Sequence, residues 1–315
     1  MASGKMEVLV TGGTGMLGRE LIHNLVARGQ KVRVLARDTK KAEELFSGLE
    51  ILKGDITEDN LGLVNNPRVD AIYHLAALLD LGEKHRDDLW NVNVIGTQNV
   101  IKLMNLYDIP HLYFCSTAYT QGRNYYEETK ATAENWIRES GVKYSIFKPG
   151  IIVPNSKTFE IDKPQHLYIA ARLWARLHRR AEPIRGKIEG TLHLPPKQIS
   201  CRIKGDPSAT LNLVQVDWIA EKMASAQDEG VYMLTSQRPL RVSKLLDWLG
   251  GVLFLNLKVE PEFKMKPHEA LFDRLAKPFL AYVQDDFSRF KTSFNDCPAI
   301  SREFIEKTVI NSILN

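Results

Sequence analysis

Met6-Glu-Val-Leu-Val10 runs straight into Thr11-Gly-Gly-Thr-Gly-Met-Leu-Gly18, and that glycine-rich turn opens an amphipathic helix over residues 19–28. No other feature of the chain constrains its fold as tightly. A strand that turns into a helix through closely spaced glycines begins a parallel α/β sheet with a phosphate-binding turn. Gly12 lets the chain turn tightly, Gly15 lets backbone approach a pyrophosphate, and Gly18 lets helix and strand pack closely. The start of the helix supplies unpaired N–H groups and partial positive charge for the anion. Spaced glycines also serve ordinary turns, but between a strand and a helix they point to a bound dinucleotide.

The periodicity downstream agrees. Apolar runs predict strands at 31–35, 49–52, 70–75, 111–115 and 143–147, and a recurrence at three and four predicts a helix over 89–106. Alternating β and α elements make a Rossmann-type, doubly wound parallel sheet, an α/β fold. Beyond Pro154 the pattern loosens. A helix is expected over 165–180, a strand over 210–214, a helix over 218–226 capped by Asp217, and another over 243–249. The 210–226 pair reads as a return to the sheet. The expected organisation is an NAD(P)-binding domain over 1–154, rejoined by 208–226. A smaller C-terminal substrate lobe would then take 155–207 and 227–315.

Composition excludes several classes. With 44% hydrophobic and 25% charged residues the chain reads as an ordinary soluble globular protein, and a net charge of +4 is too small to imply nucleic acid. Cys115, Cys201 and Cys297 form no C-x-x-C pair, and the eight histidines show no ligand spacing, so no disulfide framework and no metal are expected. No leader pattern or apolar run of spanning length is seen, which predicts a cytoplasmic protein without a membrane span.

Two local patterns carry chemistry. Tyr126 and Lys130 are four apart, so on a helix they share a face, and a cationic lysine there would draw the phenol down from its usual pKa of about 10. Only eight residues separate Thr117 from Tyr126. Tyr125 and Tyr119 are alternatives to Tyr126, though neither has a lysine four residues on. At the end of the second strand a carboxylate would select NAD. This chain has Ala36-Arg37, then Lys40 and Lys41. Arg37 could pair with a 2′-phosphate, with Lys41 or Arg19 assisting, which favours NADP(H) over NAD(H); the other reading is a solvated helix start.

Taken with Gly54-Asp55-Ile56, His74-Leu-Ala-Ala77, Asn93-Val-Ile-Gly-Thr97, Ser116-Thr-Ala118, Tyr126-Glu-Glu-Thr-Lys130, Lys148-Pro149-Gly150 and Val216-Asp217, the chain resembles the extended short-chain dehydrogenase/reductase family over nearly its whole length. Ser-Thr-Ala-Tyr at 116–119, Ala133-Glu134, the run 149–157 and Leu211-Asn-Leu-Val214 look most like its thioester-reductase-like members. The family places a longer loop between Thr117 and Tyr126. The resemblance implies that Tyr126 protonates a substrate oxygen, Thr117 hydrogen-bonds that oxygen with Ser116 as substitute, and Lys130 holds the nicotinamide ribose. It puts Thr14, Met16 and Leu17 with the glycines at the cofactor, Asp55 and Ile56 by the adenine, Ala76 and Ala77 along the cleft, and Asn93, Pro149 and Ile151 near the nicotinamide. A homodimer through 89–106 and 131–140 would also follow the family.

The function expected is an NADPH-dependent oxidoreductase that transfers a hydride to an aldehyde, ketone or acyl thioester. The rivals are an NAD-dependent nucleotide-sugar epimerase or dehydratase, and a non-catalytic NADP-binding protein. Residues 163–204 hold ten Lys or Arg against Glu182 and Glu189. Arg172, Arg176 and Arg180 there would form one helix face that receives an anionic substrate, such as one on coenzyme A or a carrier protein. Leu167, Trp174 and Leu177 would alternatively meet a membrane surface or an acyl chain; equally, the helix is an ordinary amphipathic one with solvated arginines. Asp108, Glu127 and Glu128 read as solvated helix charges.

Overall fold

The computed structural model of the chain describes residues 5–82, 84–161, 167–176, 199–287 and 290–314. It divides into two compact units, one of Met1–Ile152, Val214–Thr235 and Phe290–Cys297, the other of Val153–Leu213, Ser236–Arg289 and Pro298–Asn315.

The first unit is built on β1 (Glu7–Thr11), α1 (Met16–Ala27), β2 (Lys31–Ala36), α2 (Thr39–Leu45), β3 (Glu50–Lys53), β4 (Ala71–His74), α3 (Arg86–Trp90), α4 (Gly96–Leu106), β5 (His111–Cys115), α5 (Tyr125–Glu139), β6 (Tyr144–Pro149), α6 (Val216–Ser225) and β7 (Gly230–Leu234). The seven strands form one sheet in the order β7-β6-β5-β4-β1-β2-β3. Every pairing in it is parallel. The order reverses beside β1, where β2 continues on one side and β4 on the other, so ligands are expected beyond the carboxyl ends of these strands.

Strand residues alternate between two cores because successive side chains point to opposite faces. Val8 and Val10 pack with Leu21, Ile22 and Leu25 of α1 and with Trp218, Ile219 and Met223 of α6. Leu9 points the other way, toward Val100, Leu103 and Met104 of α4 and Ala133 and Ile137 of α5. Burial on both faces explains why these strands read as continuous apolar runs.

In the second unit, residues 167–176 are helical. Strand Ile199–Lys204 pairs in parallel with Leu255–Glu260, and Thr210–Leu211 pairs antiparallel with Leu240–Arg241. Helices Val242–Leu253, Pro267–Leu280 and Arg302–Leu314 complete it. No helix among the described residues is long and apolar enough to cross a membrane.

Three expectations change. The strand that rejoins the sheet is Gly230–Leu234, not 210–214; the latter breaks at Asn212, whose side chain bonds Ser236 at both ends. Asp217 does not cap α6: Gln215 is the cap residue, and Asp217 lies in the first turn, where its charge complements the helix dipole. The helix expected over 89–106 contains one π turn, Asn91–Ile95, between α3 and α4, and such turns often mark functional positions.

Candidate functional site

The turn after β1 is closed by backbone contacts that only glycine permits. Gly12 has φ +73°, and a Cβ on it would lie 2.5 Å from the Ala76 amide nitrogen. A Cβ on Gly18 would lie 2.4 Å from the Gly12 carbonyl oxygen, so the helix seats directly on the turn. Gly15 differs: it is exposed and is the N-cap of α1, without a side-chain cap. A Cβ there would meet only the Gly12 oxygen, at 3.3 Å. The open face at Gly15, flanked by the half-buried Thr14, Met16 and Leu17, can hold a pyrophosphate against the helix start.

Arg37 lies just beyond β2 with 77% of its side chain exposed, 3.8 Å from Asp55. Asp55 is held by the Thr57 amide and hydroxyl, both donating to its Oδ1 at 2.9 Å. Ile56 is buried against Gly96, and its carbonyl accepts from Asn99 Nδ2 at 2.9 Å. Asp38 caps α2 by accepting from the Lys41 amide, which leaves Lys40 and Lys41 exposed in the first turn. Ala76 is half-buried beside Gly12 and Ala77 is exposed.

At the end of β5, pairing with β6 continues past the strand. The Ser116 amide donates to the Phe147 carbonyl at 2.7 Å and the Ala118 amide to the Pro149 carbonyl at 2.8 Å. This fixes Ser116 and Thr117, but their hydroxyls have different partners. Ser116 donates to Glu134 Oε1 at 2.5 Å, and Lys148 Nζ donates to the same oxygen at 2.6 Å. Arg138 donates to the other Glu134 oxygen at 3.1 Å. Ser116 is therefore part of a buried ionic network. Thr117 Oγ1 accepts from the Tyr119 amide at 3.2 Å, a role that leaves the hydroxyl proton to donate.

Tyr126 and Lys130 lie one turn apart on α5. Lys130 is buried, and its Nζ donates to the Cys115 carbonyl at 2.8 Å while lying 4.2 Å from the centre of the Phe114 ring. Burial pulls its pKa down to about 8, with Lys148 pushing the same way and the Cys115 thiol and Glu134 opposing. Tyr126 is half-buried. Of the other two tyrosines, Tyr119 is buried edge-on to Phe290 at 5.1 Å, and Tyr125 lies 4.0 Å beneath the Arg86 guanidinium. Pro149 is buried and Ile151 half-buried just after β6.

Sequence patterns missed a buried relay. The Ala76 amide donates to Thr11 Oγ1 at 3.3 Å, and Thr11 Oγ1 lies 2.7 Å from His74 Nδ1. His74 Nε2 lies 3.2 Å from Thr97 Oγ1, which donates to the Asn93 carbonyl at 2.7 Å. Because Thr97 spends its one proton on Asn93, His74 must donate from Nε2 and accept at Nδ1. Burial pushes its pKa down to about 3, with Lys130 adding to the effect, so the ring is neutral. The Asn93 side chain bonds Leu78 N at 2.8 Å, Leu78 O at 3.0 Å and Thr129 Oγ1 at 3.0 Å. Thr129 in turn donates to the Tyr126 carbonyl at 2.9 Å. The relay thus links the glycine turn to the helix that carries Tyr126. The motifs around His74 and around Asn93 and Thr97 are each local, but their pairing with Thr11 and Thr129 spans 63 and 36 positions, which no local pattern announces.

Glu127 is also not the solvated charge expected: it is fully buried, because backbone amides of the preceding loop and the Arg123 side chain enclose it.

The basic helix face expected in the second unit is described only in part, and there Arg172 and Trp174 depart from it. Arg172 donates to the carbonyl of Ser312, and to its hydroxyl at 3.3 Å, at the end of the last helix. Trp174 is buried and stacks on Phe272 at 4.4 Å, so it meets neither a membrane nor solvent. Leu167 is half-buried and Arg176 exposed; Leu177 and Arg180 lie outside the described residues. Among the described residues no group of His, Cys, Asp and Glu could hold a metal.

Comparison with known proteins bears on the family and the fold. The model of the NAD dependent epimerase/dehydratase family matches residues 8–150. A UDP-glucose 4-epimerase of Halalkalibacterium halodurans is 30% identical over 201 residues, 56% of this chain and 60% of its own length. The shared stretch is under two thirds of the length of this epimerase and falls to 20% in another curated relative. Two solved structures share the fold. The terminal R domain of the myxalamid PKS-NRPS biosynthetic pathway has TM-score 0.73 at 19% identity, covering 99% of this chain and 92% of that one. The UDP-Glc/GlcNAc 4-epimerase of Campylobacter jejuni has TM-score 0.68 at 19% identity, covering 98% and 99%. Residues 8–150, which carry the glycine turn, the relay and the Tyr126–Lys130 helix, are the part that matches the NAD dependent epimerase/dehydratase family, in line with the resemblance to the extended short-chain dehydrogenase/reductases.

Proposed function

We propose that this protein is an NADPH-dependent reductase that delivers a hydride to the carbonyl of an aldehyde, ketone or acyl thioester, with Tyr126 as proton donor. The observation that carries the reading is the exposed Arg37 at the end of β2, where an NAD enzyme would place a carboxylate for the ribose hydroxyl. Lys40 and Lys41 follow at a helix start, where cations oppose the dipole. A 2′-phosphate would offset that local cost. Net reduction also requires a cofactor exchanged at every turnover, which suits NADPH better than a resident NAD.

When bound, NADPH supplies the hydride. The open turn at Gly12, Gly15 and Gly18 fits its pyrophosphate, Arg37 its 2′-phosphate with Arg19 or Lys41 assisting, and Asp55 and Ile56 its adenine. Ala76 and Ala77 flank it, Asn93, Pro149 and Ile151 serve the nicotinamide end, and Lys130 the adjoining ribose. Thr117 donates a hydrogen bond to the substrate carbonyl oxygen, and Tyr126 gives that oxygen its phenolic proton as negative charge develops there. With a thioester the product is a hemithioacetal, which releases the thiol and leaves an aldehyde. The likeness of residues 116–119 and 149–157 to thioester reductases supports an acyl chain on coenzyme A or a carrier protein. Trp90, Leu106 and Trp136, exposed on α3, α4 and α5, support a homodimer through these helices.

The test is NADPH consumption against an acyl-coenzyme A, a long-chain aldehyde, a β-keto ester and a nucleotide sugar, with NADH in parallel. Oxidation with a carbonyl substrate, faster with NADPH, is expected. The 30% identical UDP-glucose 4-epimerase favours a second reading. Copurifying NAD, with interconversion of the nucleotide sugar and no net oxidation, would replace the first reading with that one.

A further inference from the structure

The loop that joins Thr117 to Tyr126 closes on a single buried carboxylate. Glu127, in the first turn of α5, has no exposed surface. Its Oε2 accepts from the backbone amides of Gln121 and Arg123, each at 3.2 Å. The Arg123 Nε donates to both carboxylate oxygens, at 3.1 and 3.4 Å. The same guanidinium donates to Gln121 Oε1 at 2.6 Å and lies 5.3 Å from the centre of the Tyr119 ring. Asn124 completes the closure by accepting the Glu127 amide at 3.0 Å.

Such an arrangement exceeds what a loop needs to cross between two elements. A buried carboxylate is costly to desolvate unless charged and neutral donors surround it. Here the loop supplies two backbone amides and a guanidinium, so leaving Glu127 takes those three donors from the buried carboxylate. Both ends of the loop lead to the reacting groups. The Tyr119 amide donates to Thr117 Oγ1, and Glu127 adjoins Tyr126 on the helix. We propose that Glu127 is a positioning residue. By clamping residues 119–124 it fixes Thr117 and Tyr126 relative to each other and makes the short loop a rigid wall of the substrate mouth. This role rests on the reductase reading for its catalytic part alone; the clamp itself does not depend on turnover.

The experiment uses the full chain with Glu127→Gln and Arg123→Ala. Hydrogen exchange of the Gln121 and Arg123 amides is read alongside NADPH binding and NADPH oxidation with aldehydes of increasing length. Loss of the negative charge or of its guanidinium partner should speed exchange at these two amides. It should leave NADPH affinity within about twofold and lower kcat by roughly a hundredfold, the scale of small misplacements of reacting groups. Preference among aldehyde lengths should flatten at the same time. Unchanged exchange in both variants would overturn the clamp. Faster exchange with unchanged kcat and length preference would overturn its positioning role. Wild-type protein that protects both amides but oxidises no NADPH would uphold the clamp while removing the reductase reading.

Discussion

Lys130 Nζ donates to the Cys115 carbonyl oxygen at 2.8 Å, joining the middle of α5 to the last residue of β5. The bond ties Tyr126's helix to the strand end that presents Thr117. It also keeps an ammonium group in a buried place, where its pKa falls to about 8.

That value sets a pH window. Lys130 is mostly charged below about pH 8 and neutral above it, so a reaction needing the cation loses rate as pH rises through 8. An alkaline limb in kcat/KM near pH 8 is expected, and a flat profile to pH 10 would remove the cation from the mechanism. Stability moves the other way. Between about 8 and the ordinary lysine value of 10.5 the unfolded chain binds the extra proton, so stability rises with pH. Denaturant unfolding at pH 7.5 and 9.5, with Lys130→Met as reference, reads that sign.

The two hydroxyls after β5 should separate in kinetics. Tyr126→Phe and Thr117→Ala are each expected to lower kcat by about 10²-fold or more while NADPH still binds. Ser116→Ala should lower stability by about 0.5–1.5 kcal/mol, since Glu134 keeps Lys148 and Arg138, and should change kcat less than about tenfold. Equal losses at Ser116 and Thr117 would mean the network, not a substrate oxygen, sets the rate.

Cofactor choice is read at Arg37. Replacing it with Ala should raise the KM for NADPH by roughly tenfold or more and leave NADH nearly unchanged, because the guanidinium meets only the extra phosphate. Equal effects on both cofactors would instead assign Arg37 to the adenine or to its ion pair with Asp55.

Gly12→Ala combines two penalties. Its φ of +73° disfavours any side chain by about 1–2 kcal/mol, and the new Cβ would press on the Ala76 nitrogen at 2.5 Å. Lower thermal stability and loss of NADPH affinity are expected together, measured by unfolding with and without cofactor. Gly29→Ala is the control: Gly29 also has positive φ, at +81°, but nothing lies within 4 Å of its Cβ position. It should lose some stability with binding intact.

Much of the first unit was legible because its signals are local. Strand, turn and helix at 7–27 follow from glycine spacing and apolar runs, and the first six strands fall within one to two residues of their expected bounds. The seventh was not legible. Gly230-Val-Tyr-Met-Leu234 is short and flanked by polar residues, and its pairing with β6 joins positions 85 apart, such as Gly230 and Ser145.

Sequence alone determined the turn that only glycine can make, the parallel alternation of strands and helices, and the spacing that sets Tyr126 and Lys130 on one helix face. Each is a property of backbone geometry over a few residues. Tertiary structure decided which polar groups are already taken. Ser116 turns to Glu134, His74 is held between Thr11 and Thr97, and Glu127 is sealed under its own loop. The reason is that a charged or hydroxyl side chain reads the same in sequence whether water or protein satisfies it. Only folding brings together the distant donors and acceptors that choose between them.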